Sequence, residues 1–300
     1  MKRLLTVVAT LAASATFAQQ DPQFSQNMFN RLYPNPGYAG TSEAICGSLI
    51  YRDQWDKFGG GPKTAVFGID APVNFLHGGL GLSVLTDHPL NQKNLDIKLS
   101  YSYHLELGAG KLGIGLSAGL LQRGYGNDFN AIDPDDPLVK SGTGSKFDLG
   151  AGLYYNTDKF YVGASATHLT GGKIEYTDNA KVEVIPHYYF MGGINFDLTP
   201  SLKLVPSLFV KSDAKETQAD INANLHIKDR VWVGASYRLQ DAVVVMAGIN
   251  IIENLKLGYS YDITTSKLKG YHSGTHEIML GYCYQIKPKV IPVLRNVRFL

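Results

Sequence analysis

Leu95-Asp96-Ile97-Lys98-Leu99-Ser100-Tyr101-Ser102-Tyr103-His104-Leu105-Glu106-Leu107 carries an apolar or aromatic side chain at every odd position and a polar or charged one at every even position. Period two is the mark of an extended strand with two unlike faces. Thirteen residues at ~3.3 Å each make a strand of roughly 40 Å, about twice the length usual in soluble sheets. That length suffices to cross a bilayer on a tilted path. The stretch reads as a transmembrane strand, wet inside and apolar outside. A long strand of a soluble sandwich is the alternative, and the rest of the chain has to decide between them.

The pattern recurs. Ala219, Ile221, Ala223, Leu225 and Ile227 alternate with Asp220, Asn222, Asn224 and His226, and Leu255, Leu257, Tyr259 and Tyr261 alternate with Lys256, Gly258, Ser260 and Asp262. In Leu112 to Leu120 glycine takes the polar place, which leaves room in a crowded lumen or bend. Fourteen such segments can be marked, at about 43–53, 63–73, 78–87, 94–107, 110–125, 145–157, 160–170, 182–199, 202–213, 217–228, 230–240, 242–252, 255–268 and 274–287. Their connections sort into short turns on one side, such as Gly108 to Ala109 and Pro200 to Ser201, and longer loops on the other, such as Gln54 to Pro62 and Gly126 to Gly144. An even strand number with this asymmetry describes an outer-membrane barrel, short turns toward the periplasm. Lipid offers no hydrogen-bond partner to an open edge, so the sheet must close and the first and last strands must pair.

Composition agrees. Aromatics make up 11% of the 300 residues, with 18 Tyr and 32 Gly, which suits a wall whose apolar residues are diluted by a polar lumen. The net charge of +2 and the lack of a basic cluster give no reason to expect nucleic acid. Met-Lys-Arg, an apolar Leu4 to Ala15 and small residues ending at Ala18 form a secretory signal peptide over 1–18. Residues 19–41 lack alternation and contain Pro22, Pro34 and Pro36, which bar a central strand. Their Phe24, Met28, Phe29, Tyr33 and Tyr38 still need cover, so an ordered strap or plug against the lumen or periplasmic rim is expected. Residues 42–287 form the barrel and 288–300 a C-terminal tail.

Cys46 and Cys283 are the only cysteines, too few for a disulfide scaffold or a multi-cysteine metal site. They fall near the periplasmic ends of the first and last strands. If Arg52 and Glu277 face the lumen, parity turns both cysteines inward as well, so either a seam disulfide or two free thiols fits.

Several stretches resemble the PorP/SprF family of outer-membrane proteins associated with the type IX secretion system of Bacteroidetes. They are Gln20-Asp21-Pro22-Gln23-Phe24-Ser25-Gln26-Asn27-Met28-Phe29-Asn30, then Leu32-Tyr33-Pro34-Asn35-Pro36-Gly37-Tyr38-Ala39-Gly40, and Arg52-Asp53-Gln54-Trp55. Asp133-Pro134-Asp135-Asp136-Pro137, Asp148-Leu149-Gly150-Ala151-Gly152-Leu153-Tyr154-Tyr155-Asn156 and His276-Glu277-Ile278-Met279-Leu280 complete the set, which spans the mature chain in order. The chain departs from the family pattern at Asn27, Arg31 and Gly37. The resemblance implies a non-enzymatic role in secretion or surface attachment of cargo such as adhesins. It also implies periplasmic partners in the secretion or gliding machinery, and a place in the bacterial outer membrane.

The chemistry sought elsewhere is sparse. No Gly-x-Ser-x-Gly elbow, His-Glu-x-x-His helix or phosphate-binding glycine loop occurs, and no cofactor is expected. Asp128, Asp133, Asp135 and Asp136 on the longest upper loop can hold calcium through carboxylate oxygens, or Asp-Pro steps simply make turns there; the same acids are candidate partner contacts. Arg52, Asp53 and Trp55 lead into the first upper loop, where Arg and Trp suit a protein interface. Alternatively Arg52 pairs with a lumen acid such as Asp96 or Glu277, and Trp55 joins an aromatic girdle. The reading is an all-β transmembrane antiparallel barrel of about fourteen strands serving type IX secretion. The alternative is an outer-membrane transporter or channel for small solutes, hydrophobic ones included.

Overall fold

The computed structural model describes residues 21–126, 141–177, 180–266 and 269–285. Within them the strands are β1 (Ala44–Asp53), β2 (Lys63–Val73), β3 (Gly78–His88), β4 (Gln92–Leu107), β5 (Gly110–Tyr125), β6 (Gly142–Asn156), β7 (Phe160–Thr167), β8 (Gly172–Thr177), β9 (Ala180–Val184), β10 (His187–Ile194), β11 (Phe196–Thr199), β12 (Leu202–Ser212), β13 (Thr217–Ile227), β14 (Val231–Arg238), β15 (Ala242–Ile252), β16 (Leu255–Thr264) and β17 (Thr275–Gln285). β10 and β11 are two parts of one wall strand, broken at Asn195, and both pair with β12. With β8 and β9 set apart, the wall is a closed antiparallel barrel of fourteen strands. It shuts where β1 meets β17, in a register that runs from Ala44 opposite Gln285 to Asp53 opposite His276. Closure leaves no unpaired edge for lipid to meet.

Parity along β4 is as the alternation requires. Leu99 is 65% exposed on the outside, whereas Asp96, Lys98, Ser100 and Ser102 are all buried within. Ile221 and Leu257 likewise face outward. No helix among the described residues is long and apolar enough to cross a membrane; the crossing is made by strands.

One stretch departs from the sequence reading. The seventh strand stops at Thr167 rather than near 170, and the expected loop and the start of the eighth strand fold into the β8–β9 hairpin. Its Ile174, Val182 and Val184 pack on Leu121 of β5. Apolar alternation is the same for a strand in the wall and for a hairpin folded against the lumen side of it. Pro186, which has no N–H to give a ladder, separates the two uses.

Candidate functional site

Inner faces rich in Asp, Arg and Lys pose an energetic problem. Each ion taken out of water costs several kcal/mol unless it is paired and hydrogen-bonded. Residues 21–41 answer it by threading the lumen from the mouth to the periplasmic rim.

At the top, every polar group of Asp21 is engaged. Its backbone N–H donates to His187 Nε2 at 3.2 Å, its carbonyl accepts from Lys211 Nζ at 2.6 Å, and its carboxylate accepts from Tyr189 Oη and from His168 Nε2 at 2.9 Å. His168 Nδ1 faces Asp148 at 2.9 Å. With a carboxylate on each ring nitrogen, His168 carries both protons. Burial opposes that charge, but Asp21 and Asp148 push its pKa up to about 9. Burial likewise works against an ionised Asp21, yet His168, His187 and Lys98 hold its carboxyl well below the usual range.

Below this latch lies a charged belt. Arg52 bridges Asp262 at 2.8 Å and Glu277 at 3.1 Å, and Arg238 bridges Asp220 at 3.0 Å and Asp262 at 3.2 Å. The segment supplies the remaining partners. Ser25 and Gln26 donate their backbone N–H groups to Glu277 at 2.9 and 2.7 Å, Ser25 Oγ donates to Asp262, and the side-chain amides of Gln23 and Asn27 donate to Asp220. Tyr33 Oη donates to Asp96, which also pairs with Arg123, and Lys98 Nζ sits 4.1 Å from the centre of the Tyr33 ring.

Further down, backbone meets backbone. Ser102 Oγ donates to the Gly37 carbonyl at 2.9 Å, and the Gly40 N–H donates to Asp70 at 2.8 Å. A methyl added at Gly113 would stand 2.1 Å from Gly37 O, and one at Gly115 2.2 Å from Gly37 N. Glycine stands at those inner positions because the segment lies directly on the wall. Arg31 donates to Tyr154 Oη at 2.9 Å and lies 3.8 Å over the Tyr161 ring.

Above the seat is an open vestibule of about 330 Å³, lined among others by Arg52, Asp96, Arg123, His168, Lys211 and Arg238. Its lip joins two loops. The Asp56 N–H donates to Gly274 O at 2.9 Å and the Ser273 N–H to Asp56 O at 2.8 Å. Trp55 packs against Phe58 and His272 there, with Leu90 and Tyr271 over 70% exposed nearby at the mouth.

The residues singled out from sequence therefore separate. Arg52 is buried in the belt, paired with Glu277 and Asp262 and not with Asp96. Asp53 lies 3.8 Å from Lys63, and Trp55 belongs to the lip. Asp128, Asp133, Asp135 and Asp136 lie outside the described residues. Cys46 and Cys283 face each other across the seam, Cα atoms 4.1 Å apart, with their sulfurs joined.

The sequence reading missed Asp21, His168, His187 and Lys211 as a unit, although a polar side chain at an inward strand position was a usable signal for His187 and Lys211. Asp21, His168 and His187 bring ligand atoms within 4.8 Å of one another, as a metal site would. Their lone pairs are already used. His168 donates from both nitrogens, while His187 gives its Nδ1 proton to the Ile185 carbonyl and accepts the Asp21 N–H. The arrangement anchors the upper end of the lumen segment rather than an ion.

The model of the family described as "Type IX secretion system membrane protein PorP/SprF" matches residues 16–282. The chain belongs to this family. As a PorP/SprF protein it is a type IX secretion system membrane protein of the bacterial outer membrane. No curated protein matches it. Among solved structures, the CymD monoaromatic hydrocarbon channel aligns over 87% of this chain and 93% of its own, at 9% identity and a TM-score of 0.50. The Ralstonia pickettii toluene transporter TbuX aligns over 85% and 93%, at 10% identity and 0.49, and a Pseudomonas aeruginosa FadL homologue over 86% and 96%, at 11% and 0.49. At such identities these likenesses concern the fold alone.

Proposed function

We propose that this PorP/SprF protein is a non-enzymatic outer-membrane partner of type IX secreted proteins, adhesins among them, and holds them at the cell surface. The observation that carries the reading is the occupied lumen. The chain's own residues 21–41 lie in it, pinned from Asp21 at the mouth to Gly40 near the periplasmic rim. A conduit needs a continuous path, whereas an anchor needs a rigid body with a presented surface. The lip of Trp55, Phe58, Leu90 and Tyr271 around a charged vestibule offers that surface, combining aromatic anchors with polar groups as protein interfaces do. Cargo docks on the lip in this reading, and secretion or gliding components meet the periplasmic side.

The experiment pairs two measurements. Proteoliposomes of the full chain should show no flux of small aromatic or aliphatic solutes, and pull-down from the native cell surface should recover a secreted protein whose binding falls in Trp55→Ala and Tyr271→Ala. Solute flux without cargo would replace this reading with the transporter one, to which the hydrocarbon-channel fold lends only architecture.

A further inference from the structure

On the periplasmic side the lumen is not filled. A cavity of about 400 Å³ opens there between the segment and the wall, beside a second hollow of about 540 Å³ that shares Lys203, His226 and Asp229 with it. Its walls gather cations: Arg31 from the segment, Lys203 of β12 and Lys256 of β16, with His226 of β13 paired in register with Lys203. Two carboxylates line it, and one of them, Asp70, is already taken by the Gly40 N–H. The other cavity acid is Asp229, in a turn at the rim. Lys256 has no hydrogen bond or ion pair among the described residues, and Lys203 reaches only the exposed Asp197 at 4.0 Å.

Buried polar groups are left open as well. Arg31 Nε has no partner, and Asn224, 1% exposed, makes no side-chain hydrogen bond among the described residues. The floor is apolar, built from Met28, Phe29 and Met279. Like charges gathered in a partly desolvated space repel one another; an incoming carboxylate converts that repulsion into attraction. The apolar floor adds a demand that a bare ion cannot meet, and the volume falls within the ~300–1,000 Å³ typical of ligand sites.

We propose that this cavity receives an acidic, partly apolar peptide segment from a protein in the periplasm, its carboxylates held by Lys203, His226 and Lys256 and its apolar side chains by Met28, Phe29 and Met279. The barrel's own turns on this side are too short to reach outward: β4 and β5 are joined by Gly108 and Ala109, and β11 and β12 by Pro200 and Ser201. Among the described residues no turn of the barrel fills the cavity, which leaves it open to a partner. The site is independent of cargo binding at the opposite mouth.

The test uses the full chain in detergent micelles, each variant checked for heat-modifiable migration, and a fluorescein-labelled peptide of alternating glutamate and leucine read by fluorescence anisotropy. Binding is expected to weaken with salt and to fall about tenfold or more in Lys203→Gln/Lys256→Gln. It should be unchanged in Lys111→Gln, whose lysine pairs with Glu43. A lysine-leucine peptide should bind only the charge-reversed Lys203→Glu/Lys256→Glu. Unaltered affinity in the neutralised double variant overturns the proposal. So does competition by inorganic phosphate or by phosphatidylglycerol vesicles at the concentration at which the unlabelled peptide competes, since the site would then serve a simple anion or a lipid.

Discussion

His168 shows how a single residue couples the lumen segment to the wall. Its pKa is raised from an ordinary 6.5 to about 9 because Asp21 and Asp148 flank it. A raised pKa contributes stability that is fully present below the unfolded value and is lost as pH climbs through the folded one. The latch at Asp21 should therefore be firm at pH 6 and loosen between about pH 7 and 9. His187, Lys98 and Lys211 also face Asp21 and retain part of its hold. Amide hydrogen exchange at Asp21, Gln23 and Phe24 should accelerate beyond the intrinsic base-catalysed rise as pH climbs from about 7 to 9, and His168→Gln should abolish that excess. An excess that survives in the variant would place the pH response elsewhere. Arg238 gives a second residue-scale expectation. It is buried and pairs with Asp220 and Asp262, and with the half-buried Asp241. Asp262 keeps Arg52, but Arg238→Met leaves the buried Asp220 without an ion-pair partner among the described residues and should cost about 3–5 kcal/mol, read as a lower urea midpoint in detergent. None of this was visible as a unit in the sequence. His168 lies just past a strand end and Asp21 is 147 residues away; only the closed barrel brings them together.

At the scale of elements, the wall strands were legible because one physical rule repeats along each of them, and the segment was legible as a non-strand because proline forbids the ladder. Its path was not. Period two says which face a residue takes, but not what fills the space that the inner faces enclose. The glycines of β5 hinted at it: Gly113 and Gly115 stand where a polar side chain would break no rule, and the reason is the Gly37 backbone lying against them. The segment should therefore be separable from the wall. In Gly115→Val the added side chain meets backbone atoms at about 2.2 Å, so the segment must move while β5 keeps all its ladder bonds. The expected outcome is a barrel that still migrates as a folded species but conducts ions in planar bilayers. Failure to fold at all would show that segment and wall form one cooperative unit, and a closed, folded variant would show that the segment can reroute without opening a path. The β8–β9 hairpin marks the other limit of legibility, since β8 lies where a loop was expected and β9 where a wall strand was expected to begin.

The whole molecule depends on one seam. Every other wall pairing joins successive wall strands, connected by a turn, a loop or, between β7 and β10, the β8–β9 hairpin, whereas β1 and β17 meet only after the sheet has curled fully round. Closure therefore carries the largest loop entropy of any pairing in the fold. The sequence pointed to the remedy without settling it, because strand parity put Cys46 and Cys283 on the inner face near the same end but a register error of one residue would have parted them. In the closed register they are direct partners, and a bond between positions 237 residues apart removes much of the freedom of the open chain. Cys46→Ser/Cys283→Ser should still form a barrel, since ten seam register pairs remain to close it, but should lose about 2–5 kcal/mol and melt earlier. Reductant should produce the same loss in the native protein and none in the double variant. Non-reducing mass spectrometry should recover the two cysteine peptides as one mass; two alkylatable thiols in the folded protein would mean that ladder bonds alone hold the seam, and the double variant would then match the native protein in stability.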